Sequence, residues 1–332
     1  PTMSEGETLK KGMKDERVLA LRKYLKATGD LKDAQLDSDL FDDELEKVVK
    51  RYQKRFSLTQ DGAVGKDVLR EMNVPVESRI DQIRINLERS RWVLHDLHDD
   101  FLVVNVAGFY IRRITNGKSV FYSRLIVGKN QHKSPVFKDQ LEFIDLNPTW
   151  TIPYSIATNE TLPKMKSNKN YLASRNIWIY DRSGNRVDPD SLDLSQYSKG
   201  NFPFTLVQQP GPQNDLGEVK FMFPNKYAIY LHDTPSRALF DRQDRAFSHG
   251  CIRIDNKWGL FLNLLSDTDW NQEKIDEVIK TRETTRIKLD KPIDIYILYW
   301  TAAVDDNNEV VFIRDVYKRD PDVLKALNKP LN

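Results

Sequence analysis

The sequence predicts an α+β protein of several domains, in which a small helical module precedes a mainly β domain. Apolar residues recur at helical spacing between Asp15 and Asn73. From Phe101 the apolar period changes to two, and runs rich in β-branched and aromatic residues continue to Trp300. The chain has 332 residues, which is too long for one ordinary single-core domain. Two or three domains are therefore the expected organisation.

Composition narrows the function classes. The 51 basic residues nearly balance the 49 acidic ones, so net charge does not favour a nucleic-acid partner. One cysteine excludes an intramolecular disulfide and a thiolate zinc cluster, and the five histidines lack metal-ligand spacing. We therefore expect no metal and no cofactor. The chain begins at Pro1 without a basic and apolar leader, and we expect that any export signal or membrane anchor has been removed.

The first predicted element is a three-helix module over residues 8–74. Its helices follow from three apolar sets at helical spacing, with Asp42 as the N-cap of the second helix and the turn Asp61-Gly62 before the third. The three sets are Val18, Leu21 and Leu25; Leu45, Val48, Val49, Tyr52 and Phe56; and Val68, Leu69 and Met72. A bare helical spacer would show the same apolar pattern.

A connecting helix is predicted over residues 75–99, because Val76 to Leu97 contains no glycine or proline and carries one apolar stripe. The mainly β domain is predicted over residues 100–318, and a tail over 319–332. Within that domain, residues 155–202 interrupt the strand pattern and are rich in Asn, Lys, Ser and Asp. We interpret them as an insertion that caps a site, although a solvated excursion has the same composition.

The chemistry is predicted from the segment Ser248-His249-Gly250-Cys251, which holds the chain's one cysteine. A cysteine attacks as thiolate, and a nearby imidazole lowers the thiol pKa and later returns the proton to a leaving amine. His232 is expected at the end of a strand running from Tyr227, with Tyr230 on the same face. We expect His232 to deprotonate Cys251, and the backbone N–H groups of Gly250 and Cys251 to stabilise the oxyanion.

The motif of His232 followed after fifteen residues by Ser248-His249-Gly250-Cys251-Ile252-Arg253 resembles the signature of the L,D-transpeptidases. These are cysteine enzymes of bacterial wall crosslinking, and their catalytic domain is a β-sandwich. The patterns Tyr52-Gln53-x-x-Phe56 and Asp61-Gly62-Ala63-Val64-Gly65 resemble a peptidoglycan-binding domain. Together with the insertion, the chain is similar to the long, capped type of Gram-negative bacteria.

The resemblance implies a reaction and a set of site residues. Cys251 is implied as the nucleophile, His232 as general base and acid, and Gly250 as an oxyanion donor. Ser248, His249, Tyr230 and Arg253 are implied to bind or orient the substrate. The reaction joins two diaminopimelate residues through a thioester made from a tetrapeptide stem, in the periplasm. The implied partners are peptidoglycan stems and carbapenems, which would acylate Cys251, and the full-length protein could be membrane-anchored.

Three other functions are compatible with the same residues. Water could resolve the thioester, which would make the protein an L,D-carboxypeptidase. A lipoprotein lysine could serve as the acceptor instead of a peptide stem. A non-catalytic wall-binding scaffold with an incidental cysteine is the third alternative.

Overall fold

In this computed structural model of the chain, residues 2–31, 36–305 and 307–330 are described. The described residues divide into two compact units. Unit 1 comprises the residues up to Leu97, Asn105–Gly108 and the residues from Tyr299 onward, and unit 2 comprises His98–Val104 and Phe109–Leu298. Long helices dominate unit 1 and a large β-sheet dominates unit 2, which confirms the α+β class.

Within the described residues, the α-helices are labelled in chain order. They are α1 (Glu16–Ala27), α2 (Asp43–Arg55), α3 (Lys66–Met72), α4 (Val76–Arg91), α5 (Tyr154–Ile156), α6 (Leu162–Ser167), α7 (Tyr171–Ser174), α8 (Lys257–Leu264), α9 (Gln272–Thr281) and α10 (Asp320–Leu327). None of these combines the length and apolar character that a membrane span needs.

The strands are labelled in the same way. They are β1 (Asp100–Asn105), β2 (Tyr110–Thr115), β3 (Lys118–Gly128), β4 (Phe137–Leu146), β5 (Trp150–Thr151), β6 (Ile177–Tyr180), β7 (Arg186–Val187), β8 (Thr205–Gln208), β9 (Val219–Met222), β10 (Leu231–His232), β11 (Ala246–Ser248), β12 (Ile252–Ile254), β13 (Thr285–Leu298), β14 (Ala302–Val304) and β15 (Val310–Phe312).

Unit 1 contains the three predicted helices α1, α2 and α3. Asp42 caps α2 as predicted, since its carboxylate accepts a hydrogen bond from Leu45 N at 2.8 Å. The apolar sets that predicted the helices form one buried core. Asp61-Gly62 forms the expected turn, with Gly62 at a φ of +76°.

The C-terminal residues do not follow the predicted boundary at residue 318. From Tyr299 onward they cluster with unit 1, and Gln82 on α4 donates hydrogen bonds to the carbonyls of Thr301 at 2.6 Å and Ile313 at 2.9 Å. The predicted tail contains α10, while its last residues, Leu331 and Asn332, lie outside the described residues. These contacts are long-range, so local periodicity did not indicate them.

Unit 2 is built on a nine-stranded sheet in the order β11-β3-β12-β10-β9-β4-β13-β1-β2. Strand β2 also pairs with β3, so the sheet closes on itself and the two layers of the expected sandwich belong to one continuous sheet. The contact that matters for function lies at its centre, where β10 runs parallel to β12 and antiparallel to β9.

The insertion is more ordered than its composition indicated. Strands β5, β6, β7 and β8 form a separate four-stranded sheet, and helices α6 and α7 pack on it around a buried apolar core. The pairing of β5 with β8 extends this substructure from Trp150 to Gln208, beyond the predicted limits of 155–202. We call residues 150–208 the insertion subdomain.

Candidate active site

The predicted site residues lie around the parallel pair formed by β10 and β12. In this pair Leu231 is opposite Ile252 and His232 is opposite Arg253. The side chains of Leu231 and Ile252 are fully buried on one face. Because side chains alternate along a strand, His232 and Arg253 lie on the other face. Cys251 directly precedes β12, so the fold brings the cysteine and His232 to neighbouring strands.

The strand predicted from Tyr227 to His232 is wrong over its first four residues, because β10 contains only Leu231 and His232. The amide of Asn225 organises a turn: its oxygen accepts the N–H groups of Tyr227 at 3.0 Å and Ile229 at 3.2 Å. Ala228 adopts a φ of +53° in that turn, which no strand residue does. As a result, the carbonyl of Ala228 faces the Cys251 thiol, with 3.7 Å between O and Sγ.

Cys251 is a partly exposed free thiol. Burial raises its pKa above the ordinary value. Hydrogen bonding with Tyr230 and the charges of Lys220 and Arg253 lower the pKa of the thiol but do not outweigh burial. Burial therefore dominates the thiol pKa, and the sulfur of the resting protein carries a proton at neutral pH.

His232 is buried, with 3% of its surface exposed. Burial, assisted by the positive charge of Arg253, lowers the pKa of its imidazole to about 3. Its Nδ1 lies 2.5 Å from the carbonyl oxygen of Asp233. A carbonyl only accepts, so Nδ1 carries a proton of the neutral ring. The backbone of Leu216 also hydrogen-bonds with the imidazole. Among the described residues, this imidazole and the Cys251 thiol share no hydrogen bond.

Asp233 is a buried residue that holds His232 in place, and sequence reasoning gave it no role. Its carboxylate accepts hydrogen bonds from Lys257 Nζ at 2.5 Å and from Glu218 N at 3.1 Å. Gly217 makes this arrangement possible, because a Cβ at that position would lie 2.2 Å from Asp233 Oδ2. The fixed backbone of Asp233 thus presents the carbonyl that orients the imidazole.

The loop before Cys251 is held by two serines. Ser248 Oγ accepts the Gly250 N–H at 3.1 Å and donates to the Cys251 carbonyl at 2.5 Å. The buried Ser134 Oγ donates to the Gly250 carbonyl at 2.7 Å. Gly250 has a φ of +120°, which favours glycine. Because Ser248 holds the Gly250 N–H, the predicted oxyanion role of Gly250 requires that bond to be exchanged for one to the substrate.

His249 points away from this loop toward the insertion subdomain. Its Nε2 lies 2.7 Å from Glu160 Oε1, and its ring centroid is 5.2 Å from that of His132. Glu160 belongs to a π-helical turn, Ala157–Thr161, a rare element that occurs frequently at functional sites. The insertion subdomain therefore contacts the residue two positions before the cysteine.

Tyr230 and Lys220 complete the surroundings of the thiol. Burial raises the pKa of the Tyr230 phenol, so its hydroxyl stays protonated, and it hydrogen-bonds with Cys251 and Trp150. Lys220 Nζ lies 4.1 Å from the centroid of the Tyr230 ring. No cluster of three or more His, Cys, Asp or Glu residues suited to a metal ion occurs in the described ranges.

The family of the L,D-transpeptidase catalytic domain, YkuD, matches residues 99–277, which is more than half of the 332-residue chain. This chain belongs to the L,D-transpeptidase family. A second family, described as "Putative peptidoglycan binding domain", matches residues 14–72. The L,D-transpeptidase domain thus follows an N-terminal peptidoglycan-binding domain, as the two resemblances in the sequence indicated.

One curated protein similar to this chain is a "Putative L,D-transpeptidase" of Haemophilus influenzae. It is 36% identical over 247 residues, covering 74% of this chain and 49% of the relative, so the chain spans about half the relative's length. Among solved structures, an L,D-transpeptidase from Stackebrandtia nassauensis is 11% identical, with a TM-score of 0.31 and coverage of 90% and 96% of the two chains. One from Xylanimonas cellulosilytica is also 11% identical, with a TM-score of 0.29 and coverage of 89% and 99%.

Sequence reasoning on this L,D-transpeptidase domain missed several residues near the cysteine. Lys220 could have been found from the sequence, because it alternates with the apolar Val219 and Phe221 and so faces away from the core. For Asp233 the only indication in the sequence is its position directly after His232. No sequence pattern indicates Ser134 or Glu160, because they reach the loop of Cys251 from distant parts of the chain.

Proposed function

We propose that this protein is a peptidoglycan L,D-transpeptidase, which links two diaminopimelate residues through a thioester on Cys251. The observation that carries the proposal is the placement of a thiol and a neutral imidazole on neighbouring strands, inside the domain that matches the family. A neutral imidazole can accept a proton, whereas a protonated one cannot.

The first half-reaction is acyl transfer to the enzyme. The Cys251 thiol gives its proton to His232, and the sulfur bonds to the carbonyl carbon between diaminopimelate and the terminal D-Ala of a tetrapeptide stem. The C–N bond of the tetrahedral intermediate then breaks. The protonated His232 returns its proton to the departing amine, which leaves free D-Ala and a thioester.

This step requires the thiol to turn from Ala228 toward His232. Strands lie about 4.8 Å apart and rise about 3.3 Å per residue, so the Cα atoms of Cys251 and His232 are separated by about 8 Å. Two side chains on one face can bridge that separation by rotation about the Cys251 χ1 bond. Because apo geometry is often looser than that of the substrate complex, the resting contact with Ala228 is compatible with this role.

The oxyanion is stabilised by backbone N–H groups of the loop. The Cys251 N–H forms no hydrogen bond within the described structure, and it is the first donor we assign. The Gly250 N–H becomes the second donor when Ser248 Oγ releases it. Ser248 therefore sets the loop geometry, while His249, Tyr230 and Arg253 line the surface that receives the stem.

In the second half-reaction the side-chain amine of a second stem attacks the thioester. His232 accepts the proton of that amine, the C–S bond breaks, and the thiolate recovers the proton. The expected product of incubation with purified tetrapeptide wall fragments is a crosslinked dimer with release of D-Ala, detected by mass spectrometry. A tripeptide without any dimer would contradict transfer and identify the protein as an L,D-carboxypeptidase. Modification of a lipoprotein lysine alone would identify a lipoprotein transferase.

The partners follow from this reaction. The domain that matches residues 14–72 supports attachment to peptidoglycan, and carbapenems are expected to acylate Cys251 because their strained carbonyl resembles the scissile one. We therefore propose the periplasm as its location, where it would act in cell wall biogenesis and cell shape. The proposed location follows from the peptidoglycan substrate, and a different substrate would contradict it.

We also propose that the insertion subdomain covers the bound stem. Its Glu160 contacts His249 next to the nucleophile, so closing the subdomain over a stem would stabilise a long substrate more than a small β-lactam. The Glu160–His249 pair is partly exposed, with 42% and 32% of the two side chains accessible. Such a pair contributes at most about 1 kcal/mol.

Glu160→Ala is therefore expected to raise the KM for tetrapeptide donors by at most about five-fold. The rate of acylation by a carbapenem should not change, because a small inhibitor does not need the cover. Steady-state kinetics with both compounds measures the two effects. Asp190→Ala is the matched control, since it removes another exposed carboxylate of the same subdomain, whereas the ion pair of His249 is with Glu160. Equal losses for stem and carbapenem would refute the covering role.

A further inference from the structure

A single row of side chains crosses five strands of the large sheet. The register places Arg286 on β13 opposite Asp145 on β4, Asp145 opposite Lys220 on β9, Lys220 opposite His232 on β10, and His232 opposite Arg253 on β12. Residues opposite one another in register project to the same face. The row therefore runs directly past Cys251, which lies on this face two residues before Arg253.

The charges along this row do not cancel. Asp145 accepts two hydrogen bonds from Arg286, at 2.7 Å to Oδ1 and 3.0 Å to Oδ2, so its negative charge is paired. The low pKa of His232 keeps its imidazole neutral. Lys220 and Arg253 remain as two positive charges, and neither forms an ion pair or hydrogen bond with an acidic residue in the described part of the chain.

The surroundings of these two cations confirm the imbalance. Lys220 lies over the ring of Tyr230, and burial lowers the pKa of its ammonium group. The Arg253 Nε is buried without a hydrogen-bond partner. The carboxylate that acts on Arg253, Asp215, is already bonded to Arg175 at 2.7 Å. Keeping cations half-buried and unpaired is unfavourable, and a bound anion would relieve that cost.

The thiol does not supply this anion, because burial keeps the Cys251 sulfur protonated at rest. Both cations are nevertheless close enough to act electrostatically on Cys251 and on His232. Their Cα atoms lie about 10 Å apart, across the one intervening strand. An anionic group bound near the sulfur would therefore stand between them.

We propose that Lys220 and Arg253 form a carboxylate-binding site that takes the free C-terminal carboxylate of the residue leaving the donor stem. This rests on the proposed function. The carboxyl carbon of that residue is three bonds from the scissile carbonyl carbon, which is about 3–4 Å. When Cys251 attacks, this carboxylate is the anion of the donor that lies nearest the sulfur. The pair of cations would thus restrict cleavage to the last peptide bond of a stem.

The test compares three tetrapeptide donors with the intact protein: one with a free C-terminal carboxylate, one with a C-terminal primary amide, and one in which the diaminopimelate side-chain carboxyl is amidated. Acylation of Cys251 and release of the last residue are followed by mass spectrometry. Hydrogen bonds to charged groups discriminate strongly, so wild type should prefer the free acid over the C-terminal amide by about tenfold or more. Lys220→Gln should reduce this preference to about twofold, and Lys220→Arg should retain it.

Lys226→Gln is the matched control, because Lys226 lies over a neighbouring tyrosine, Tyr227, at 5.2 Å, and is not part of the row. Its acid-to-amide preference should equal that of wild type. A preference unchanged by Lys220→Gln overturns the site. Loss of discrimination only against the donor amidated on diaminopimelate overturns the assignment to the C-terminal carboxylate.

Lys220 could bind the substrate carboxylate or could only stabilise the Cys251 thiolate. The pH dependence of Cys251 alkylation by iodoacetamide, a neutral reagent, distinguishes these two roles. If Lys220→Gln shifts the alkylation profile to higher pH while the acid-to-amide preference stays, Lys220 acts on the sulfur alone and the proposal is wrong. Absence of acylation in wild type with every donor and with a carbapenem overturns the proposed function itself. An unchanged acid-to-amide preference, by contrast, overturns only the carboxylate-binding site.

Discussion

Cys251→Ala is expected to abolish covalent modification by a carbapenem, whereas the wild-type protein should gain the mass of one inhibitor molecule. The sequence contains one cysteine, so no second thiol can replace it. Removing a nucleophile typically lowers the rate by about 10⁴-fold or more. Because the side chain is small and only partly buried, the variant should keep its fold.

Intact-protein mass spectrometry after incubation measures this result, and urea denaturation of both proteins controls for folding. Cys251→Ser is a closer control of shape, since it keeps a hydroxyl where the thiol stood but has a much weaker nucleophile. An adduct on Cys251→Ala, or a wild-type protein that stays unmodified, would exclude the thioester mechanism. A wall-binding scaffold with an incidental cysteine would then be favoured.

Sequence patterns predicted well those elements that depend on local spacing. The helices α1, α2 and α3 follow from apolar periodicity. Asp42 caps α2 through a local hydrogen bond, because its carboxylate accepts the N–H of Leu45, three residues later. The apolar period of two that begins at Phe101 likewise predicted the first strands of unit 2, β1, β2 and β3. In each case the interactions that decide the structure lie within a few residues of one another.

The misses have two physical causes. One is a side chain that competes with the strand backbone: Asn225 binds the N–H groups of Tyr227 and Ile229, so the strand before His232 becomes a turn. The other is long-range contact. Ser134 and Glu160 reach the loop of Cys251 across 116 and 89 positions of the chain, and no local pattern records this.

The positions of the predicted site residues follow from the sequence more completely than their charge states do. The residue types around Cys251 indicated a thiol and an imidazole, and the parallel pairing of β10 with β12 brings them to neighbouring strands. Their charge states depend on burial, which composition and spacing do not reveal. The result is a resting pair of neutral thiol and neutral imidazole, not a thiolate and an imidazolium.

His232→Gln is expected to slow acylation of Cys251 by about 10²- to 10⁴-fold, because the thiol loses its proton acceptor. Glutamine can still donate an amide N–H to the Asp233 carbonyl, so the fold should be retained. Stopped-flow measurement of carbapenem acylation at pH 7 tests this. His95→Gln is the control, since that histidine is exposed over 70% of its side chain and lies far from Cys251 in the sequence. Equal rates for wild type and His232→Gln would remove the imidazole from the mechanism.

The same substitution should also change how stability depends on pH. The unfolded chain binds a proton at His232 as the pH falls through 6.5, whereas the folded protein binds it only near pH 3, its lowered pKa. Protonation therefore favours unfolding between these values, by about 1.4 kcal/mol for each pH unit, and has no effect above about pH 6.5. Wild type should lose stability on acidification faster than His232→Gln, as measured by urea denaturation from pH 7 to pH 4. Parallel curves would mean that the folded protein does not keep this imidazole neutral, and the basic nitrogen on which acyl transfer depends would then be absent at rest.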